Sequence, residues 1–279
     1  MDGAALAARI HAEVADEVRE LGGLKLVTVQ VGDDPASALY LRRKHEAADE
    51  VGIASDDRKL AEETSEDELL GLVSDLNADD DVDGILVQLP LPDQIDEARV
   101  IRGVDPVKDV DGFHPVNAGQ LYLGRPTLVP ATPVGIMALL AEHRVPLEGA
   151  EAVVIGRSDI VGKPIAHLLL QANATVTLCH SRTRDLTEHT LEADVLVVAV
   201  GSPEVVTADM VKQGAAVIDV GINRTENGVV GDVALAAGEL AAYITPVPGG
   251  VGPMTIAMVL RNTVKAARYR RGLLAFPQG

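Results

Sequence analysis

Between residues 152 and 221 the chain alternates short apolar runs with helical segments, and no other feature narrows its fold as much. AVVIG (152–156) precedes a helix expected from about Gly162, and TVTLCH (175–180), DVLVVAV (194–200) and AAVIDVG (215–221) follow, with a further helix predicted near 207–213. Strands that alternate with helices are joined by right-handed crossovers, and the sheet they make is parallel. The runs are apolar almost without a break, as strands covered on both faces are. The N-terminal part follows the same grammar. Ile10, Val14, Val18 and Leu21 recur at helical spacing up to Gly22-Gly23, and LKLVTVQVG (24–32) reads as a buried strand. Asp34-Pro35 is a helix start, with a run predicted to about Gly52. Ser65 and Glu68 stand at capping-box spacing before a helix to about Asn77, and GILVQ (84–88) is a strand stopped by Pro90 and Pro92. A Gly-, Pro- and Asp-rich loop is expected from Val104 to Gly119, then a helix from Thr132-Pro133 to about Arg144. The fold class is α/β, in two α/β domains with a seam near 120–130.

Composition removes several functions. The 279 residues hold 42 acidic and 24 basic side chains, a formal charge of −18. Nucleic acid is bound through Lys/Arg patches, so no nucleic-acid partner is expected. The acids form no tail: Asp33-Asp34, Asp56-Asp57 and Asp79-Asp80-Asp81 are spread along the chain. Such a surface resembles that of proteins from salt-loving microbes, where salt screens the self-repulsion; an ordinarily acidic cytosolic surface is the alternative. A single cysteine, Cys179, excludes a disulfide framework and a Cys-based zinc cluster. The seven histidines show no paired ligand spacing, so no metal is expected. No apolar run approaches the roughly 20 residues of a membrane span. The N-terminal MDGAALAARIHAEVADEVRE is too charged for a secretory signal, so the expected location is the cytoplasm.

Candidate chemistry sits in a few segments. GRSDIVGKP (156–164) joins a strand to a helix, where open α/β sheets bind ligands. Gly156 permits a tight turn, Gly162 lets helix and strand approach, and helix-start amides can hold a phosphate. The spacing departs from G-x-G-x-x-G, so a glycine turn without a nucleotide is the other reading. The next strand ends Cys179-His180-Ser181-Arg182, without the acid that binds an NAD ribose. Ser181 and Arg182, with Arg157, suit a 2′-phosphate, which favours NADP over NAD; a solvated Arg182 is the alternative. Tyr40 and Lys44 lie four apart on one helix face. A lysine buried against an apolar wall loses proton affinity and can act as a base, whereas an ordinary amphipathic helix explains the same spacing. Gln88, before Leu89-Pro90, could hydrogen-bond an amine. Asp111 in DVDGFHP could accept from a paired N–H system, and TPVPGGVGPMT (245–255) suits close backbone approach to a ligand. A strand terminus, a solvated turn and a rigid linker are the respective alternatives.

Together, VGDDPAS-ALYLRRK, DGILVQLPLP, KDVDGFHPVNAG, PATPVG, GRSDIVGKP, CHSRT, DVGIN, GDV and PVPGGVGPMT occur in an order that resembles the bifunctional methylenetetrahydrofolate dehydrogenase/methenyltetrahydrofolate cyclohydrolase family. The resemblance spans about residues 31 to 255. It implies a folate-binding catalytic domain over 1–122, completed by a C-terminal helix within 254–279, and an NADP-binding Rossmann-like domain over 123–253. It also implies a cleft between the domains, and a homodimer. Lys44 would be the cyclohydrolase lysine, Tyr40 the tyrosine beside it, Gln88 the glutamine that tunes it and Asp111 the aspartate that holds the pterin. Gly156, Arg157, Ser158, Ser181, Arg182 and Ile222 would contact NADP. Tyr40, Lys44, Gln88, Leu89, Asp111, Pro248, Gly249 and Gly250 would contact the folate. The implied reactions are oxidation of 5,10-methylenetetrahydrofolate to the 5,10-methenyl form and its hydrolysis to 10-formyltetrahydrofolate. Ala131 in PATP stands where relatives often carry cysteine, and no implied step uses a thiol there. A monofunctional dehydrogenase and a non-catalytic folate- or nucleotide-binding homologue are the alternatives.

Overall fold

The computed structural model describes residues 1–32, 35–226 and 228–277, and the side chains of 35–40 are not among those described. The expected Asp34 cap therefore lies outside the described residues. In chain order the elements are α1 (Gly3–Leu21), β1 (Leu24–Val31), α2 (Pro35–Glu50), β2 (Ile53–Leu60), α3 (Glu66–Ala78), β3 (Gly84–Val87), α4 (Glu97–Gly103), α5 (Pro115–Tyr122), α6 (Ala131–Glu142), β4 (Glu151–Ile155), α7 (Gly162–Gln171), β5 (Thr175–Cys179), α8 (Leu186–Thr190), β6 (Val195–Val198), β7 (Ala216–Asp219), β8 (Asn223–Thr225), β9 (Gly228–Val230), β10 (Tyr243–Ile244) and α9 (Val251–Arg270). The chain divides into two compact units, Arg9–Ala131 with Ile256–Gly279 and Met1–Ala8 with Thr132–Thr255.

The first unit holds a parallel sheet in the order β2-β1-β3. Its central strand β1 is apolar on both faces, and Leu26, Val27 and Val29 have no contact with solvent. The edge strand β2, IASDDRKL, is absent from the sequence-based expectation because its middle is charged. Charge on an edge discourages further strand pairing, so the pattern fits the position. The turn 105–112 runs beside β3, since the Ile85 N–H donates to the Lys108 carbonyl (2.7 Å) and the Val110 N–H to the Ile85 carbonyl (3.4 Å). The capping box is present: the Glu68 N–H donates to Ser65 Oγ (3.3 Å) and the Ser65 N–H to Glu68 Oε2 (2.9 Å). The loop expected from Val104 to Gly119 is shorter, because α5 begins at Pro115. Its cap is His114, whose Nδ1 accepts from the Val116 N–H (3.1 Å), and a histidine is not among the usual N-cap signals.

The second unit is a fully parallel sheet in the order β10-β7-β6-β4-β5. Its first strand in sequence lies between the second and third, so the winding direction reverses between β4 and β6. Val153, Ile155, Leu196, Val198 and Val217 form the core of this Rossmann-like unit. The helix expected near 207–213 is a single 3₁₀ turn, Ala208–Met210. Val206 bridges to Val233 and stays extended, and both Val206 and Val211 are buried, which leaves room for one turn only. Among the described residues, no helix is long and apolar enough to cross a membrane.

Candidate active site

Parallel strands end together, and in both units several of the predicted site residues follow those ends at the carboxyl edge. In the first unit Val29 is level with Val87 and Ile85 with Asp109, so Gln88 and Asp111 follow adjacent strand ends. The turn that carries Asp111 is braced from within. Asp109 accepts from the Gly112 N–H (3.1 Å), the His114 N–H (2.8 Å) and Asn117 Nδ2 (2.8 Å), while Thr127 donates to Asn117 Oδ1 (2.6 Å). Asn262 on α9 donates to the Val110 and Val129 carbonyls (2.8 and 2.9 Å) and pins the same turn. Gly112 has φ +74°, and a Cβ there would stand 2.5 Å from the Val129 carbonyl carbon, so only glycine fits.

Lys44 on α2 is 4% exposed. Burial pushes its pKa below the usual lysine value, and the Asp111 carboxylate pulls the other way. Burial raises the half-buried Asp111 to about 6, opposed by the Lys44 charge and reinforced by Asp109. The fold therefore brings Lys44 and Asp111, far apart in sequence, into electrostatic contact. Gln88 donates from Nε2 to the Leu89 carbonyl (2.6 Å), and its Oε1 is buried without a hydrogen-bond partner among the described residues. Leu89 is half-buried and packs against the hydrophobic core of this unit. The Tyr40 side chain lies outside the described residues. Pro248, Gly249 and Gly250 belong to the other unit, in the loop before α9, where the Gly249 carbonyl accepts from the Gly3 and Ala4 N–H groups (both 3.1 Å).

In the second unit Ile155, Cys179, Val198 and Asp219 are level with their neighbours. Gly156, Ser181-Arg182 and Ile222 thus follow three ends of one sheet edge, at or near the winding reversal. Gly156 has φ +121°, and a Cβ on it would lie 2.2 Å from the Ala199 carbonyl oxygen. A Cβ on Gly162 would meet the Gly156 carbonyl oxygen at 2.1 Å, so α7 starts hard against the turn. Ser158 Oγ accepts from the Val161 and Gly162 N–H groups (3.2 and 3.3 Å) and so braces the turn that enters that helix, whose N-cap is Val161. Arg157, Ser181 and Arg182 are exposed, and the Arg182 N–H donates to His180 Nδ1 (3.1 Å), which fixes the turn. Ile222 is 63% exposed. A backbone-lined turn, with exposed arginines in it and after the neighbouring strand, is chemistry that suits a dinucleotide with an extra phosphate.

Two buried aspartates were not singled out from the sequence. Asp219 and Asp232 accept backbone N–H groups from the loops after β6 and β7. The signal available was the pairing of DVG (219–221) with GDV (231–233), an acid beside a glycine in each.

A doubly wound unit with a glycine turn at its winding reversal, joined to an α/β unit with a buried lysine in the field of a half-buried carboxylate, defines a class of two-unit nucleotide-dependent enzymes. The model of the tetrahydrofolate dehydrogenase/cyclohydrolase catalytic domain matches residues 1–111, and that of the same family's NAD(P)-binding domain matches 130–271. The bifunctional protein FolD of Pelobacter propionicus is 55% identical over 274 residues, covering 96% of this chain and 97% of that protein. The crystal structure of the bifunctional FolD methylenetetrahydrofolate dehydrogenase/cyclohydrolase from Campylobacter jejuni has a TM-score of 0.95 at 49% identity, covering 96% of this chain and 98% of that one. The Trypanosoma brucei enzyme, solved with NADP cofactor and an inhibitor, has a TM-score of 0.93 at 38% identity, covering 99% and 98%. The chain belongs to the tetrahydrofolate dehydrogenase/cyclohydrolase family.

Proposed function

We propose that this chain is a bifunctional enzyme that oxidises 5,10-methylenetetrahydrofolate with NADP and hydrolyses the resulting 5,10-methenyl cation, with Lys44 as the base of the second step. NADP, when bound, supplies the hydride acceptor. Gly156 and Gly162 give it a backbone cradle, Ser158 holds the helix start, and Arg157, Ser181 and Arg182 face its 2′-phosphate. Ile222 and the Pro248–Gly250 loop offer apolar and backbone surface to cofactor and folate. On the pterin side Asp111 accepts from the ring's N–H groups, Leu89 packs against it, and Tyr40 positions it.

The observation that carries the hydrolytic assignment is the burial of Lys44, whose amine loses proton affinity with one carboxylate as counterweight. A neutral amine does not repel a methenyl cation, whereas an ammonium at a few ångströms would, and the repulsion grows as water is excluded. Water adds to the bridging carbon and Lys44 takes its proton. The carbon–N5 bond then breaks, N5 receives a proton, and 10-formyltetrahydrofolate leaves with net release of one proton. Gln88, whose Oε1 is a buried acceptor in want of a donor, orients the amine. The reading includes a homodimer and a cytoplasmic location, the first testable by sedimentation at twice the chain mass.

The test is purified protein with methylenetetrahydrofolate and NADP, followed by absorbance across a salt series. Growth of the NADPH band with little methenyl intermediate is expected, and no NADPH at any salt would refute the assignment. Accumulation of the methenyl form without hydrolysis would leave a dehydrogenase alone.

A further inference from the structure

We propose that Asp232 is a positioning residue for the cofactor, which fixes the backbone of Val200–Ser202 after β6 and, through Asn223, the turn that carries Ile222. The inference rests on the reading that NADP binds at the carboxyl edge of the five-stranded sheet.

Asp232 is wholly buried. Its Oδ2 accepts from the Val200 and Gly201 N–H groups (2.7 and 2.9 Å), and its Oδ1 from the Ser202 N–H and Asn223 Nδ2 (both 2.9 Å). Three successive amides turned onto one carboxylate form an anion nest, which Gly201 at φ +64° makes possible. The nest is filled from within the protein, so its product is the shape of the loop. Asp219 holds Asp232 in turn: its Oδ1 accepts from the Asp232 and Gly221 N–H groups (both 2.9 Å) and its Oδ2 from the Val233 N–H (3.0 Å). Glycine leaves the room, since a Cβ on Gly221 would lie 2.3 Å from Asp232 Oδ1 and one on Gly231 1.7 Å from Asp219 Oδ2.

What this buried chain of acids supports is exposed. The loop begins next to Ala199, the residue that Gly156 touches, and presents Val200 to solvent, while the turn tied by Asn223 presents Ile222. Two exposed apolar side chains, on loops held by one carboxylate, suit the flat ring of a nucleotide cofactor better than water.

Calorimetry with NADP alone tests this. Asp232→Asn keeps the volume but turns an amide nitrogen on N–H donors, and should weaken NADP binding about tenfold or more. Hydrolysis of methenyltetrahydrofolate without NADP should change by less than about twofold, since Lys44 lies in the other unit. Asn223→Ala, which leaves the three amides in place, should weaken NADP about two- to fivefold, and it decides the matter if Asp232→Asn does not fold. Asp194→Asn is the structural comparator: its carboxylate binds the Glu151 N–H (3.0 Å) and Lys212 (2.8 Å), and its loss should lower the unfolding temperature with NADP affinity unchanged. Unaltered NADP binding in both Asp232→Asn and Asn223→Ala would overturn the proposal. So would a loss of affinity in all three variants that simply tracks their stability. Wild-type protein that binds no NADP would sink the underlying reading instead.

Discussion

The two units build their edges from opposite materials. In the five-stranded unit the candidate site is backbone: glycines with no room for a Cβ, a helix start, and charged side chains left in water. In the three-stranded unit the site is side chain: Lys44 and Asp111 are drawn out of water and set against each other, and burial moves both pKa values. A ligand with several phosphates needs shape and fixed dipoles, which a backbone supplies without titrating. A proton transfer near neutral pH needs a group whose proton affinity has been changed, which requires desolvation.

The sharpest way to break this contrast is Lys44→Met. Loss of a general base costs about 10²–10⁴-fold, so cyclohydrolase turnover should fall by that much while calorimetric NADP affinity stays put. Wild-type hydrolysis in that variant would remove Lys44 from the site. The mirror experiment is Gly156→Ala. Left-handed strain and a Cβ against the Ala199 carbonyl should weaken NADP by about 10- to 100-fold and lower the unfolding temperature, with cyclohydrolase activity largely retained. Equal loss of both activities would mean that the units are not separable in this sense.

Arg182→Ala and Arg157→Ala should each cut the preference for NADP over NAD by about tenfold, read from the ratio of kcat/KM values. An unchanged ratio in both would refute the phosphate contacts. The smallest effect is electrostatic. In Asp111→Asn, Lys44 loses the charge that supports its ammonium, so its pKa falls further and the rise of residual hydrolysis with pH moves to lower pH. In Lys44→Met the sign reverses, because Asp111 loses the charge that holds it down and moves above about 6. A carboxyl with a raised pKa favours folding while protonated. That contribution is full below the ordinary carboxylate value near 4 and gone above about 6 in the wild type. The difference in unfolding temperature between the wild type and Asp111→Asn across that window measures it, and a difference that grows in the wild type's favour as the pH rises would contradict the sign.

Much of this fold was legible from residue order. Apolar runs such as DVLVVAV and the Ser65/Glu68 pair are local signals, and the elements follow them. The edge strand β2 was not, because solvent on one side permits charge where a buried strand would forbid it. The α5 start was hidden by a histidine acting as an oxygen would. Gly156 and Gly162 could be picked out in advance, since a glycine between strand and helix has a local steric reason. The Asp219–Asp232 relay could not, since its meaning lies in amides that reach it from three separate loops.

The sequence by itself determined two α/β units, the second a parallel sheet, the glycine turn after that sheet's first strand and the family to which the motifs belong, because each depends on neighbours within a few residues. The tertiary structure alone decided that Lys44 is buried, that Asp111 is the charge it meets, and that a carboxylate sits beneath the loop after β6. Desolvation and long-range pairing depend on which distant segments close over a group, and no local pattern encodes that closure.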